Sequence, residues 1–316
     1  MASILIGLIL MIAALMAALM LWTRYLGRDV EKLVPQAGQV RPVPGGAIHH
    51  VDLGPRDAPA VVLIHGLSGQ LQHFTYGVTA LLEQEFRVIA LDRPGCGYST
   101  RDSDDRAALP EQARMIWALL DDLQVAKPVL VGHSLGGAVA LAMALDRPEQ
   151  AGALALISPL THPQTEEAGA FNGLAVTSPL MRRVIGHTIA VPAAQRTAAK
   201  VLEEVFRPEA CPEDFLARGG GALGLRPKGF ISASADFVAA NAGIGAQQAR
   251  YAEGLKTPGG VLFGAADAVL DPAHHGATME GFGLSAETLP DRGHMLPITA
   301  PADCADFIRR MAARAS

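Results

Sequence analysis

Chemistry is best placed at Gly132-His133-Ser134-Leu135-Gly136-Gly137, which follows the apolar run at 128–131 and precedes a stretch of small residues. A buried strand that turns straight into a helix fits that order. A serine on so sharp a turn has a crowded backbone, so its neighbours must be small, and glycines stand at 132, 136 and 137. The turn lifts the serine oxygen above the sheet edge and sets it at a helix N-terminus, where negative charge is favoured. A GxSxG pattern alone says little in a chain with 33 glycines; the strand before it and the helix after it give it meaning. A serine hydroxyl needs a base within hydrogen-bond reach, and that base needs a group that fixes its tautomer. Histidine suits the first role and a carboxylate the second.

The elements that must position these groups alternate between strand and helix. Continuous runs of Val, Ile, Leu and Ala occur at 60–64, 87–91, 128–131, 153–157 and 260–263, as strands buried on both faces require. Residues 39–53, with Pro44-Gly45-Gly46 between two extended runs, read as a hairpin. Helices are expected at roughly 74–84, 110–124, 135–146 and 299–313. The last would be capped by Thr299 and would set Ala305, Ile308 and Met311 on one face. Alternation of this kind argues for an open α/β sheet. Between about 160 and 255 the rhythm stops. Helical pieces punctuated by prolines and by Gly219-Gly220-Gly221 read as a cap laid over a site.

From about residue 38 onward the chain resembles the α/β-hydrolase superfamily, of the serine esterase and lipase type. The resemblance rests on His65-Gly66-Leu67-Ser68-Gly69, Asp92-Arg93-Pro94-Gly95-Cys96-Gly97-Tyr98-Ser99, the GHSLGG turn, Gly264-Ala265-Ala266-Asp267 and Gly293-His294, in the family order. It implies an eight-stranded, mostly parallel sheet with helices on both faces and a helical cap, and it implies Ser134 as nucleophile. His294 suits the base, in a turn after the 286–289 strand and before the last helix. Of the ten histidines, His49 and His50 fall in the hairpin, His274 and His275 at the start of a surface helix, and His65 and His133 within motifs that the family uses structurally. The acid follows a strand between serine and histidine in this fold. Asp267, at the family's G-x-x-D position, is the candidate, with Asp271 as rival, the latter also readable as a helix N-cap. Asp92 precedes the serine and anchors the turn it begins. The fold takes its oxyanion donors from backbone N–H groups, here Leu135 and, after His-Gly, Leu67.

Composition bounds the rest. The chain has 316 residues, half of them hydrophobic, and a formal charge of −5, which leaves no basic surplus for nucleic acid. Three cysteines, Cys96, Cys211 and Cys304, have no CxxC spacing, and neither a metal nor a nucleotide cofactor has a motif to hold it. The mean hydropathy of +0.24 owes much to Ala2–Trp22, which carries no charge. At about 1.5 Å per residue such a helix spans roughly 30 Å, the hydrocarbon thickness of a bilayer. A signal peptide competes, but no Lys or Arg precedes the run, and no clear A-x-A site follows it. Trp22 and Tyr25 suit a membrane interface, and Arg24, Arg28 and Lys32 favour a cytoplasmic C-terminal side. The expected organisation is an anchor and linker at 1–34 and a hydrolase domain at 35–316. Removing 1–34 is expected to release a folded domain.

These expectations describe a membrane-anchored serine hydrolase acting on hydrophobic carboxylic esters through an acyl-enzyme. Phe171, Leu174, Leu180, Met181, Val184 and Ile185 either line its acyl pocket or form cap core. A carbon–carbon bond hydrolase with the same Ser-Asp-His set, or a tethered binding protein without catalysis, are the alternatives. Epoxide hydrolysis and dehalogenation in the superfamily use an aspartate nucleophile, which Ser134 argues against.

Overall fold

The apolar runs become the inner strands of one sheet in the computed structural model, which describes residues 1–164 and 169–315. Residues 165–168, inside the stretch expected as a cap, and Ser316 lie outside the described residues. The strands are β1 (Gln39–Val43), β2 (Gly46–Leu53), β3 (Ala60–Ile64), β4 (Arg87–Leu91), β5 (Thr100–Arg101), β6 (Val129–His133), β7 (Ala153–Ile157), β8 (Gly259–Gly264) and β9 (Ser285–Leu289). Eight follow the order β1-β2-β4-β3-β6-β7-β8-β9, and the two-residue β5, which no sequence signal marked, pairs beside β2. β1 and β2 run antiparallel to their neighbours, while β4, β3, β6, β7, β8 and β9 are mutually parallel.

Period-two alternation explains why the inner strands are apolar throughout. Val62, Ile64, Ile89, Leu130 and Leu156 face one layer, with helices α2 (Leu109–Asp122) and α3 (Leu135–Asp146). Val61, Leu63, Val88, Val131 and Ile157 face the other. Helix α3 is apolar all round because it is buried on every side. Two helix expectations are corrected. The 74–84 stretch is two short helices, Gln72–Thr75 and Val78–Leu82, broken at Gly77, where a Cβ would lie 2.9 Å from Pro301. Thr299 does not cap the final helix. It ends a short helix, Leu296–Thr299, and the closing helix starts at Pro301, a residue pre-set for a first helical position. Ala305, Ile308 and Met311 are buried on that helix.

Among the described residues the segment between β7 and β8 holds helices and no strand, including α4 (Val191–Phe206) and α5 (Pro227–Gln248). Among the described residues the first helix, α1 (Ala2–Gly27), is the one helix long and apolar enough to cross a membrane, and its side chains before Thr23 are exposed save for the half-buried Met16 and Leu19. Its end is different. Thr23 is wholly buried and donates its hydroxyl to the Thr188 carbonyl at 2.6 Å. Val30 and Val34 pack on Ala222 and Leu223, Glu31 pairs with Arg226 at 2.8 Å, and Tyr98 donates to the Val34 carbonyl at 2.5 Å. Residues 23–34 are therefore a docked segment, which corrects their reading as a linker. Deleting 2–22 should leave a chain that stays in solution without detergent and melts within a few degrees of the detergent-held protein. Deleting 1–34 should lower the melting temperature by roughly 5 °C or more, since two buried valines and their partners are lost. Equal melting of the two truncations, by calorimetry, would contradict the docking.

Several histidines lie inside. His275 is buried, contrary to the surface position expected, because the helix Pro272–His275 turns it toward His162, while His274 stays partly exposed. Burial holds His65 and His133 well below the ordinary histidine range and pushes His73 and His275 down to about 4. In the unfolded chain such groups take up protons near pH 6.5. Between those values the unfolded state binds more protons, so stability falls as the pH drops through this window. The melting temperature should decline steadily from pH 7 to 5, above the range where most carboxylates titrate. A flat profile there would contradict neutral, buried imidazoles.

Candidate active site

Ser134 stands between β6 and α3 with φ +54° and ψ −122°, a left-handed φ uncommon for a residue with a side chain. Hydrogen bonds hold it there: its N–H donates to the Ile157 carbonyl at 3.1 Å, and its carbonyl accepts from Gly137 and Leu160, each at 2.9 Å. The flanking glycines are forced by close approach. A Cβ at Gly132 would meet the Gly136 carbonyl at 2.4 Å, and one at Gly136 would meet the Ile64 carbonyl at 2.1 Å. The loop after β3 comes equally near, since a Cβ on Gly66 would lie 2.9 Å from the Ser134 Cβ.

Asp267 and His294 are joined. The Nδ1–H of His294 donates to Asp267 Oδ2 at 2.8 Å, which leaves Nε2 as an acceptor. Both side chains are buried, and Asp267 Oδ1 is fixed by the N–H groups of Val269 at 2.8 Å and Leu270 at 3.0 Å. Gly264 lets the loops meet, because a Cβ there would strike the Arg292 and Gly293 carbonyls at 2.3 Å. Asp271 is exposed and caps the helix Pro272–His275, accepting from the Ala273 N–H at 2.9 Å. Asp92 accepts from His49 Nδ1–H at 2.7 Å and from the N–H groups of Leu71 and Tyr98, each at 2.8 Å, which makes it the anchor of its turn.

Ser134 and His294 line one cavity of about 360 Å³, and Leu67 lines it too. Leu135 is the first residue of α3, directly after Ser134. Over the cavity lies one stripe of α4, Val191, Ala194, Ala198, Val201, Leu202 and Val205, at the spacing of a helix face. Phe171 and Leu174 also reach it. The other four cap residues expected there do not: Leu180 and Met181 are 74% and 51% exposed, and Val184 and Ile185 lie outside the lining. Among the described residues the lining includes no Asp, Glu, Lys or Arg, and no cluster of three His, Cys, Asp or Glu could hold a metal ion.

Residues 59–257 match the model of the α/β hydrolase fold family, and the chain belongs to that family. A protein of Variovorax paradoxus named as a candidate carbamate hydrolase, RutD, is 37% identical over 125 residues, 40% of this chain and 47% of that protein. A 2-hydroxy-6-oxononadienedioate/2-hydroxy-6-oxononatrienedioate hydrolase of Escherichia coli is 37% identical over 114 residues, 35% of this chain and 39% of that protein. The match thus spans less than half the length of either relative. The structure of an esterase from a Rhodococcus species superposes with a TM-score of 0.67 at 24% identity, covering 88% of this chain and 98% of that one, and shows the fold.

Three residues at the site carry no motif signal that sequence reasoning used. Glu209, just beyond α4, accepts from the Gly293 N–H at 2.8 Å and steadies the histidine loop. Arg93 sits inside a motif read only for its aspartate. Asp236 is the sole charge in α5 between Lys228 and Arg250, and that isolation in a run of small residues is the signal that would have found it.

Proposed function

We propose that this protein is a membrane-anchored serine hydrolase that cleaves hydrophobic carboxylic esters. The observation that carries the reading is a serine on a strained turn, sharing with a carboxylate-bound histidine an apolar cavity roofed by the α4 stripe. Ser134 Oγ attacks the ester carbonyl while His294 Nε2 takes its proton, and the Asp267 carboxylate stabilises the imidazolium so formed. The negative oxygen of the tetrahedral intermediate accepts from the Leu67 and Leu135 N–H groups. Collapse expels the alcohol, which leaves with the proton from His294. Water, deprotonated by the same imidazole, then attacks the acyl-enzyme, and the carboxylic acid departs as Ser134 regains its proton.

The lining supports one substrate class over another. A dicarboxylate, such as the name of the Escherichia coli relative describes, calls for cationic partners, and the cavity wall offers no Lys or Arg among the described residues. A neutral, apolar acyl chain fits instead. The anchor reading agrees: α1 docks through Thr23 on Thr188, three residues before the cavity-lining Val191, and Val30 and Val34 just after α1 pack on Leu223, itself part of the lining, so the cavity would lie beside lipid. The basic residues after the span, Arg24, Arg28 and Lys32, favour a hydrolase domain on the cytoplasmic side. A series of p-nitrophenyl esters from about two to sixteen carbons, turned over by detergent-solubilised protein, tests the reading. The kcat/KM should rise with chain length through the medium range, as each buried methylene adds roughly 0.8 kcal/mol of binding before the cavity fills. Absence of turnover at every length would overturn it.

A further inference from the structure

The peptide that carries one proposed oxyanion donor is gripped from behind by a buried arginine. The Leu67 N–H and the Gly66 C=O belong to the same peptide unit and, in a trans peptide, point in opposite directions. Whatever holds the Gly66 oxygen therefore aims the Leu67 N–H. Three donors hold it: Gly69 N–H at 3.2 Å, His65 Nδ1–H at 2.8 Å and Arg93 Nη2–H at 3.0 Å. Arg93 also donates from Nε to the His65 carbonyl and from its backbone N–H to His65 Nε2, each at 2.9 Å. One residue thus clamps both peptides that lead to Leu67.

The guanidinium is wholly buried, and Nη1 donates to Gln112 Oε1 at 2.8 Å and Asp236 Oδ2 at 2.7 Å. Asp236, equally buried, belongs to α5, part of the segment between β7 and β8. Its second oxygen accepts from Arg101 Nη1 at 2.5 Å, and the Cys96 thiol lies 3.6 Å from the first. Buried charges are costly unless paired, and apolar contacts alone would dock a helix more cheaply. Here the carboxylate of a cap helix stands two hydrogen-bonded steps from the Gly66–Leu67 peptide.

We propose that Arg93 and Asp236 are positioning residues of the oxyanion hole, through which the docked α5 helix aims the Leu67 N–H at the intermediate. This rests on the ester-hydrolase reading above. The three donors on the Gly66 oxygen also polarise that peptide, which strengthens its N–H as a donor. The hole is then complete only with α5 in place.

The test compares an ester with the matching thionoester. Sulfur is larger and a weaker acceptor, so a hole shaped for oxygen assists the thionoester little. Loss of folded enzyme, or damage to the triad, slows both alike. Arg93→Met should lower kcat for the ester by about 100- to 1000-fold, the effect typical of losing one oxyanion donor. KM should change little and the thionoester should be far less affected, so the ester-to-thionoester ratio collapses. Arg93→Lys keeps the charge that pairs Asp236 but not the fork that reaches Gly66, and should lower the ratio by about tenfold or more without unfolding the protein. Asp236→Asn, of the same shape, should move it the same way. Parallel losses on both substrates, with the ratio unchanged in any folded variant, would overturn the proposal. A wild-type protein that hydrolyses no ester defeats the ester-hydrolase reading itself, and the proposal with it.

Discussion

Ser134→Ala should lower kcat for a short p-nitrophenyl ester by a factor on the order of 10⁴ to 10⁶, with the melting temperature within a few degrees of wild type. The size of the loss follows from how the parts work together. Without the hydroxyl no acyl-enzyme can form, and the His294 base, held by Asp267, has no nucleophile to deprotonate. The fold should survive because the turn is held by backbone bonds to Ile157, Gly137 and Leu160 rather than by the serine side chain. Steady-state kinetics and a thermal melt on the same preparation read both halves. Retention of more than a few per cent of turnover would mean that another residue carries the chemistry.

The second large effect separates the two carboxylates. Asp267 has one oxygen fixed by two backbone N–H groups and the other on His294 Nδ1, so Asp267→Asn presents an amide that can donate and the imidazole loses its enforced tautomer. A fall in kcat of about 10⁴ is expected, since that is the cost of the wrong tautomer with the geometry intact. Asp271→Asn should leave kcat unchanged, because Asn caps the Pro272–His275 helix about as well as Asp. If the Asp271 variant is the inactive one, the roles are reversed.

The serine turn and the inner strands were readable because each is local, and the contact between Asp267 and His294, 27 residues apart, was anticipated only through the family order of motifs. Buried strands give continuous apolar runs, and a nucleophile turn needs glycines on both sides of one serine. Which residues the insertion turns inward was not local. Leu180 and Met181 look as apolar as Val201 and Leu202, yet only the tertiary path of the chain sends the first pair to the surface and the second over the site. Thr299 shows local rules in competition, its capping tendency overridden by Pro301 two residues on. His275 was misread because four residues of helix carry no periodicity that would tell which side is buried. The Arg93–Asp236 pair joins positions 143 residues apart, beyond the reach of any spacing argument.

The most direct test of the central claim is covalent. Full-length protein in detergent, treated with an alkyl fluorophosphonate and examined by intact mass and peptide mapping, should gain one adduct per chain, carried on Ser134. The Ser134→Ala chain should gain none, and Asp267→Asn should label far more slowly than Asp271→Asn. A folded wild-type chain that takes no adduct, or takes it at another residue, would contradict the account.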